Sequence, residues 1–162
     1  MLCKILYDAL LAAIAAIGFS AISRPPRHAY FYCAFLAAAG HSLRFAIMSP
    51  ELTDIHIITA TIVAATVTGV LAVLVSPIAR MPAEACLFPA LLPMIPGIYA
   101  YKAFGALALC MLCENKDVFW HNFYLFSHNA ITCTAVLLCL VAGGSIPVFI
   151  FKKLSFSATR KK

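Results

Sequence analysis

Residues 55–75 have the sequence IHIITATIVAATVTGVLAVLV, which contains no lysine, arginine, aspartate or glutamate. An α-helix of about 20 apolar residues crosses the ~30 Å hydrocarbon core of a bilayer. This stretch therefore predicts a transmembrane helix, and it makes the chain an integral membrane protein.

The sequence on either side of this stretch has the same character. The chain has 162 residues, of which 64% are hydrophobic and 11% charged, and its mean hydropathy is +0.96. A water-soluble domain is excluded by these values. We predict an all-α polytopic fold, a single domain over residues 1–151, with five transmembrane helices at about 5–22, 28–48, 55–75, 83–111 and 130–151.

These five spans use nearly the whole length and leave no room for an extramembrane catalytic domain, so we expect a protein that is not an enzyme. A polar, aromatic connector is predicted from Glu114 to Tyr124, before the fifth span. The first apolar run could instead be a secretory signal peptide, since Lys4 precedes it. Asp8 near its start and the diproline Pro25-Pro26 after it fit a cleavable signal poorly.

The net charge of +6 resides in short loops and in the tail, so it indicates membrane topology and not binding of nucleic acid. Two basic residues flank the spans on the N-terminal side (Lys4, Lys116) and eight on the other side (Arg24, Arg27, Arg80, Lys152, Lys153, Arg160, Lys161, Lys162). By the positive-inside rule the N-terminus is outside and the C-terminus is cytoplasmic. We expect the protein to lie in the plasma (inner) membrane. Residues 152–162 are predicted to form a basic cytoplasmic tail attracted to anionic lipid.

The fourth apolar stretch is too long for one plain helix and contains the sequence Pro93-Met94-Ile95-Pro96-Gly97. Pro93 and Pro96 lack an amide donor and Gly97 permits positive φ, so a broken helix is predicted there, ~15–20 Å into the membrane. Such breaks bind substrate in many secondary transporters, through amides of the second half-helix. The alternative is a proline kink repaired by neighbouring helices.

Three ionisable residues of the first two spans are candidate functional groups. His41 and Arg44 are three residues apart and share a helix face, while Asp8 lies just inside the first span. We predict that Arg44 faces inward to bind a carboxylate, and that Asp8 pairs with Arg44 or titrates as a coupling group. Alternatively, Arg44 snorkels to the interface and His41 only hydrogen-bonds a neighbouring helix.

Other polar groups carry weaker signals. Lys102 is expected to snorkel outward along the second half-helix. Cys110 and Cys113 match the C-x-x-C spacing, but they end a hydrophobic helix and lack a second pair, so neither a metal nor a redox cofactor is expected.

Several of these residues together resemble the threonine/serine exporter family, specifically its small C-terminal-half type. The resemblance covers nearly the whole chain and rests on these motifs: Asp8 before an alanine-rich span with Gly18-Phe19, Pro26, Gly40-His41 followed by Arg44, Pro93-x-x-Pro96-Gly97 followed by Tyr101, and Ser145-Ile146-Pro147. Lys102 departs from the pattern, which has a small polar residue there.

The resemblance implies one subunit of a split exporter that moves amino acids or dicarboxylates such as succinate and is driven by the proton gradient. It also implies a second multi-span subunit of the same family, inverted relative to this one, and it leaves a homo-oligomer possible. Its substrate-binding residues would be His41, Arg44, Pro93, Pro96, Gly97 and Tyr101, with Asp8 and His41 in proton coupling.

Two other classes of membrane protein stay open from the sequence alone. His41 and His128 could ligate haem iron in a haem- or quinone-binding membrane anchor. The chain could also be a structural subunit that only stabilises its partner.

Overall fold

The computed structural model describes residues 2–23, 26–50 and 55–156. Within these ranges the regular structure is entirely helical. The helices are α1 (Leu2–Ser23), α2 (Ala29–Met48), α3 (Ile57–Ala79), α4 (Ala83–Leu91), α5 (Gly97–Leu112), α6 (Lys116–Ile150) and α7 (Lys152–Ser155), with a 3-10 turn at Leu92–Met94 between α4 and α5.

Four of these helices, α1, α2, α3 and α6, are long and apolar enough to cross a membrane. The bent pair Ala83–Met94 and Gly97–Leu112 makes a fifth candidate span if it is taken as one. Large apolar side chains such as Leu6, Ile14, Leu74 and Phe104 are exposed on these helices. Such an outer surface belongs in lipid and not in water, and the chain is a membrane protein.

The helix ends follow from local chemistry. At the start of α3 the ring of His56 accepts the Ile58 N–H at 3.4 Å. At its other end Arg80 adopts the left-handed conformation with φ of 52°, and its N–H bonds the Ser76 carbonyl. Pro82 then precedes α4 and fixes its first turn. Few residues are therefore needed to reverse the chain between α3 and α4.

The predicted break in the fourth span is confirmed, since regular α-helix stops at Leu91 and resumes at Gly97. Pro96 occupies the cap position of α5, and its carbonyl accepts the amides of Tyr99 and Ala100 at 3.1 and 3.3 Å. The missing amides of the two prolines account for the interruption.

The predicted connector from Glu114 to Tyr124 is helical from Lys116 onward and is continuous with the fifth predicted span. Helix α6 begins at Lys116 and runs for 35 residues. No proline or glycine between Lys116 and Gly143 interrupts its backbone hydrogen bonds. The Asn115 side chain accepts the Asp117 amide at 2.9 Å and so caps the first turn. Aromatic rings four residues apart also stack along this turn, with Phe119 and Phe123 6.0 Å between centroids.

The chain divides into two compact units, Met1–Met94 with Cys139–Lys162, and Ile95–Leu138. In the first unit α2 packs against α1, α3 and α4. Small residues let backbones approach closely in lipid, and here a Cβ added at Gly69 would lie 2.6 Å from the Gly144 carbonyl. The first unit therefore has a tightly packed core built largely from alanine and glycine.

Three segments between or after the predicted spans lie outside the described residues. These are Arg24 and Pro25, residues 51–54, and the basic tail beyond residue 156. The described start of the tail is helical: α7 holds its place through Ser155, whose hydroxyl donates to the Val148 carbonyl at 3.0 Å. Lys152 and Lys153 are exposed on it.

Candidate functional site

The first unit brings together the three ionisable residues that the sequence singled out. Asp8 lies on α1, and His41 and Arg44 lie one turn apart on α2. Their positions follow from helical spacing: residues three apart share a face, and this face of α2 is turned toward α1 and the 3-10 turn.

The three side chains form a continuous chain of contacts. His41 Nδ1 lies 2.5 Å from Asp8 Oδ2, and Arg44 Nη2 lies 3.2 Å from His41 Nε2. Arg44 Nη1 donates to the backbone carbonyl of Met94 at 2.5 Å. The chain thus runs from a carboxylate, through an imidazole and a guanidinium, to a backbone oxygen.

Burial differs along this chain of contacts. Arg44 is 9% exposed, while the side chains of His41 and Asp8 are 19% and 24% exposed. Arg44 therefore faces the interior of the unit, and the alternative that it snorkels to the interface is wrong for this structure. The described ion pair of Asp8 is with His41, whose imidazole contacts both Asp8 and Arg44.

The broken helix contributes an oxygen to the site where the sequence predicted amides. In an unbroken helix the Met94 carbonyl would accept the amide four residues on, but here it accepts from Arg44. The Gly97 amide donates to the Ile95 carbonyl at 2.9 Å. Met94 was missed from the sequence because an acceptor on the backbone leaves no side-chain signal, although the two nearby prolines mark where carbonyls are freed.

The other predicted site residues line the break and the helix after it. Pro93 lies in the 3-10 turn and is partly buried, Pro96 is buried, and Gly97 is exposed. Tyr101 is 80% exposed on α5, and Lys102 beside it is exposed too. The structure therefore brings the side chains of Asp8, His41 and Arg44 together and places Pro96, Gly97 and Tyr101 in the second unit.

A close helix contact underlies the site and was not predicted. Gly40 precedes His41, and a Cβ on it would collide with the side-chain oxygen of Thr68 on α3. Thr68 itself is fully buried and donates to the Ala64 carbonyl at 2.8 Å. Gly40 therefore sets how near α2 comes to α3 and, with it, the position of His41.

The chemistry available to this arrangement is anion binding and proton exchange. A guanidinium has five N–H donors and no acceptor. Nε of Arg44 has no hydrogen-bond partner among the described residues, and no described side-chain nitrogen or oxygen that lacks a partner is fully buried. Nε is therefore a donor that no described group uses. Both ring nitrogens of His41 are in contact with protein groups, so in this state neither is open to haem iron.

Comparisons with known proteins concern the chain as a whole. The family model described as "Threonine/Serine exporter, ThrE" matches residues 8–150, a range that begins at Asp8. A protein of Haemophilus influenzae, described only as an uncharacterized protein, is 42% identical over 100 residues. Those residues are 62% of this chain and 33% of that protein, so the chain spans about a third of the length of this relative. No solved structure matches the chain.

Proposed function

Because the chain belongs to the threonine/serine exporter family, we propose that it is a subunit of a secondary exporter for small carboxylate-bearing metabolites such as threonine, serine or succinate. Family membership supports an exporter-type role in membrane transport, and so a transporter and not an enzyme. The observation that carries the finer proposal is the chain of contacts Asp8–His41–Arg44–Met94 carbonyl.

Arg44 is the proposed carboxylate-binding group. An arginine inside the membrane is costly unless it has polar partners, and here two polar partners hold it while Nε has no partner among the described residues. Guanidinium groups bind carboxylates with two parallel hydrogen bonds. A substrate carboxylate can therefore replace one protein partner of Arg44 without leaving the charge unpaired.

Asp8 and His41 are the proposed proton-coupling pair. A histidine changes charge between about pH 5 and 8, and this one touches both the carboxylate and the proposed substrate-binding group. Its side chain is partly exposed. A proton gained or lost at His41 therefore acts directly on Arg44.

The broken helix is the proposed cradle of the transport path. Unpaired backbone groups within a membrane occur where they line a cavity or are satisfied by protein. The Met94 carbonyl serves Arg44 in this role. We further propose that Pro93, Pro96, Gly97 and Tyr101 line this path.

The assembly around this chain is proposed from its size and charge pattern. We propose five spans over residues 1–151, with the N-terminus outside and the C-terminus in the cytoplasm of a plasma-membrane protein. Five helices make a small enclosure, so a second multi-span subunit of the same family would complete the path. Two five-span halves in opposite orientations would form an inverted repeat.

An efflux experiment tests the proposal. Cells lacking this chain, and cells with the wild-type chain restored beside its neighbouring genes, are loaded separately with radiolabelled threonine, serine and succinate. Faster efflux of at least one solute from the restored cells supports the proposal, whereas equal efflux of all three contradicts it. The Arg44→Gln variant at equal membrane abundance separates a transport role from a structural one, since a structural subunit would keep full efflux.

A further inference from the structure

His41 can make both of its contacts in only one protonation state. A guanidinium only donates hydrogen bonds, so Nε2 of His41 must accept from Arg44 and carries no proton. Nδ1 then carries the single ring proton and donates it to Asp8. The geometry therefore selects the neutral imidazole with its proton on Nδ1.

A second proton on this ring would go to Nε2, which faces the guanidinium. Both groups would then be donors and both would be positively charged, so the hydrogen bond between His41 and Arg44 would be lost. The contact with Asp8 would survive, because an imidazolium bonds a carboxylate more strongly than a neutral ring does. Arg44 is thus the group that leaves, and it keeps the Met94 carbonyl as a partner.

Among the described residues, few charged groups contact this ring. The helices and the turn packed against α2 are α1, α3, α4 and the 3-10 turn at Leu92–Met94. Their described titratable side chains, with those of the two residues that cap α3, are Cys3, Lys4, Tyr7, Asp8, His56, Arg80, Glu84 and Cys86. Among these, Asp8 alone forms a hydrogen bond or ion pair with His41. On α2 itself the contacting charge is Arg44.

We propose that His41 is a proton-operated catch on Arg44: neutral His41 holds the guanidinium, and protonated His41 releases it. Release frees N–H donors of Arg44 and raises the charge of the site by one. A carboxylate therefore binds Arg44 more tightly when His41 is protonated, and by reciprocity a bound carboxylate favours protonation of His41. This last step rests on the proposed function of Arg44, whereas the catch does not.

Nitrogen NMR on the reconstituted chain in lipid bilayers tests the catch without any transport. The protein is labelled with ¹⁵N at histidine and arginine, and the matched variant His41→Gln identifies the His41 signals by difference. The side-chain amide of glutamine can donate to Asp8 and accept from Arg44, as neutral His41 does, but it takes up no proton. Spectra are recorded from about pH 8 down to about pH 5. While the ring is neutral, we expect a proton on Nδ1, no proton on Nε2 and a hydrogen bond from Arg44 to Nε2.

Once acidification has protonated both ring nitrogens, we expect the hydrogen bond from Arg44 to Nε2 to be absent. A proton on Nε2 of the neutral ring, or a contact to Arg44 that persists once both nitrogens are protonated, would overturn the proposal.

The link to carboxylate binding is tested with lactate, which stays ionised across this pH range. Lactate should bind the wild-type chain on the order of tenfold more tightly at the lower pH, and His41→Gln should abolish the difference. Equal pH dependence in both proteins would overturn the link. If the catch operates as described but lactate binds at neither pH, the proposed carboxylate site fails and the catch stands.

Discussion

Nδ1 of His41 lies 2.5 Å from Oδ2 of Asp8 and joins α1 to α2 across 33 residues of sequence. The same imidazole contacts Arg44 through its other nitrogen. Neutral His41 thus connects the negative charge of Asp8 to the positive charge of Arg44. The two charges balance only while both residues are present.

Removing one of the two charges should therefore destabilise the protein more than removing both. Asp8→Asn leaves the Arg44 charge without its balance, and Arg44→Gln does the same to Asp8, so each should destabilise the protein by about 1–3 kcal/mol. The double variant should recover part of the loss. Thermal unfolding in detergent and abundance in the membrane measure this, with Lys102→Gln as an exposed control. Strictly additive losses would show that the charges are not linked through His41.

The close approach at Gly40 predicts a second effect on stability. Gly40→Ala places a methyl group against the Thr68 side chain, and overpacking of this kind costs about 1–3 kcal/mol. Gly18→Ala is the matched control, because nothing lies within 4 Å of its added Cβ. The control should unfold at or above the wild-type temperature. Thr68→Ala should relieve much of the cost of Gly40→Ala, and a lack of relief would locate the strain elsewhere.

Repairing the broken helix should impair the site without unfolding the protein. Pro96→Ala with Gly97→Leu favours a continuous ladder, in which an amide four residues on competes with Arg44 for the Met94 carbonyl. We expect efflux to fall by at least about tenfold with normal insertion, as in loss of a positioning contact. Normal efflux from this variant would show that the break serves only helix packing and has no role in transport.

Orientation follows from the distribution of basic residues. Reporter fusions should place the N-terminus outside the cell and the C-terminus in the cytoplasm. Both ends on one side would contradict the five-span arrangement.

Much of the fold could be predicted from the sequence, because apolar length and the two prolines act locally. The spans at α1, α2 and α3 and the break before Gly97 depend on hydropathy and missing amides, which can be counted in the sequence. The start of α6 could not be placed this way, since polar residues such as Asn115 and Asp117 suit a connector as well as a capped helix turn.

The sequence singled out Asp8, His41 and Arg44, which the structure brings together, but it did not predict the contacts among them. Helical spacing put His41 and Arg44 on one face, and depth suggested Asp8 as a partner for Arg44. Depth does not give the rotation of α1 about its axis, so the inserted imidazole was not foreseen. The Met94 carbonyl was missed because a backbone acceptor is present in every residue and has no distinctive side chain in the sequence.

The central claim is that Arg44 binds the carboxylate of the exported solute, and Arg44→Lys tests it most directly. Lysine keeps the positive charge and loses the planar fork, so the variant should insert at wild-type abundance. Efflux of the transported solute should be measured as kcat and KM at matched abundance. We expect kcat/KM to fall by about tenfold or more, as in loss of one charge-assisted hydrogen bond. Wild-type kcat/KM in Arg44→Lys would contradict the claim.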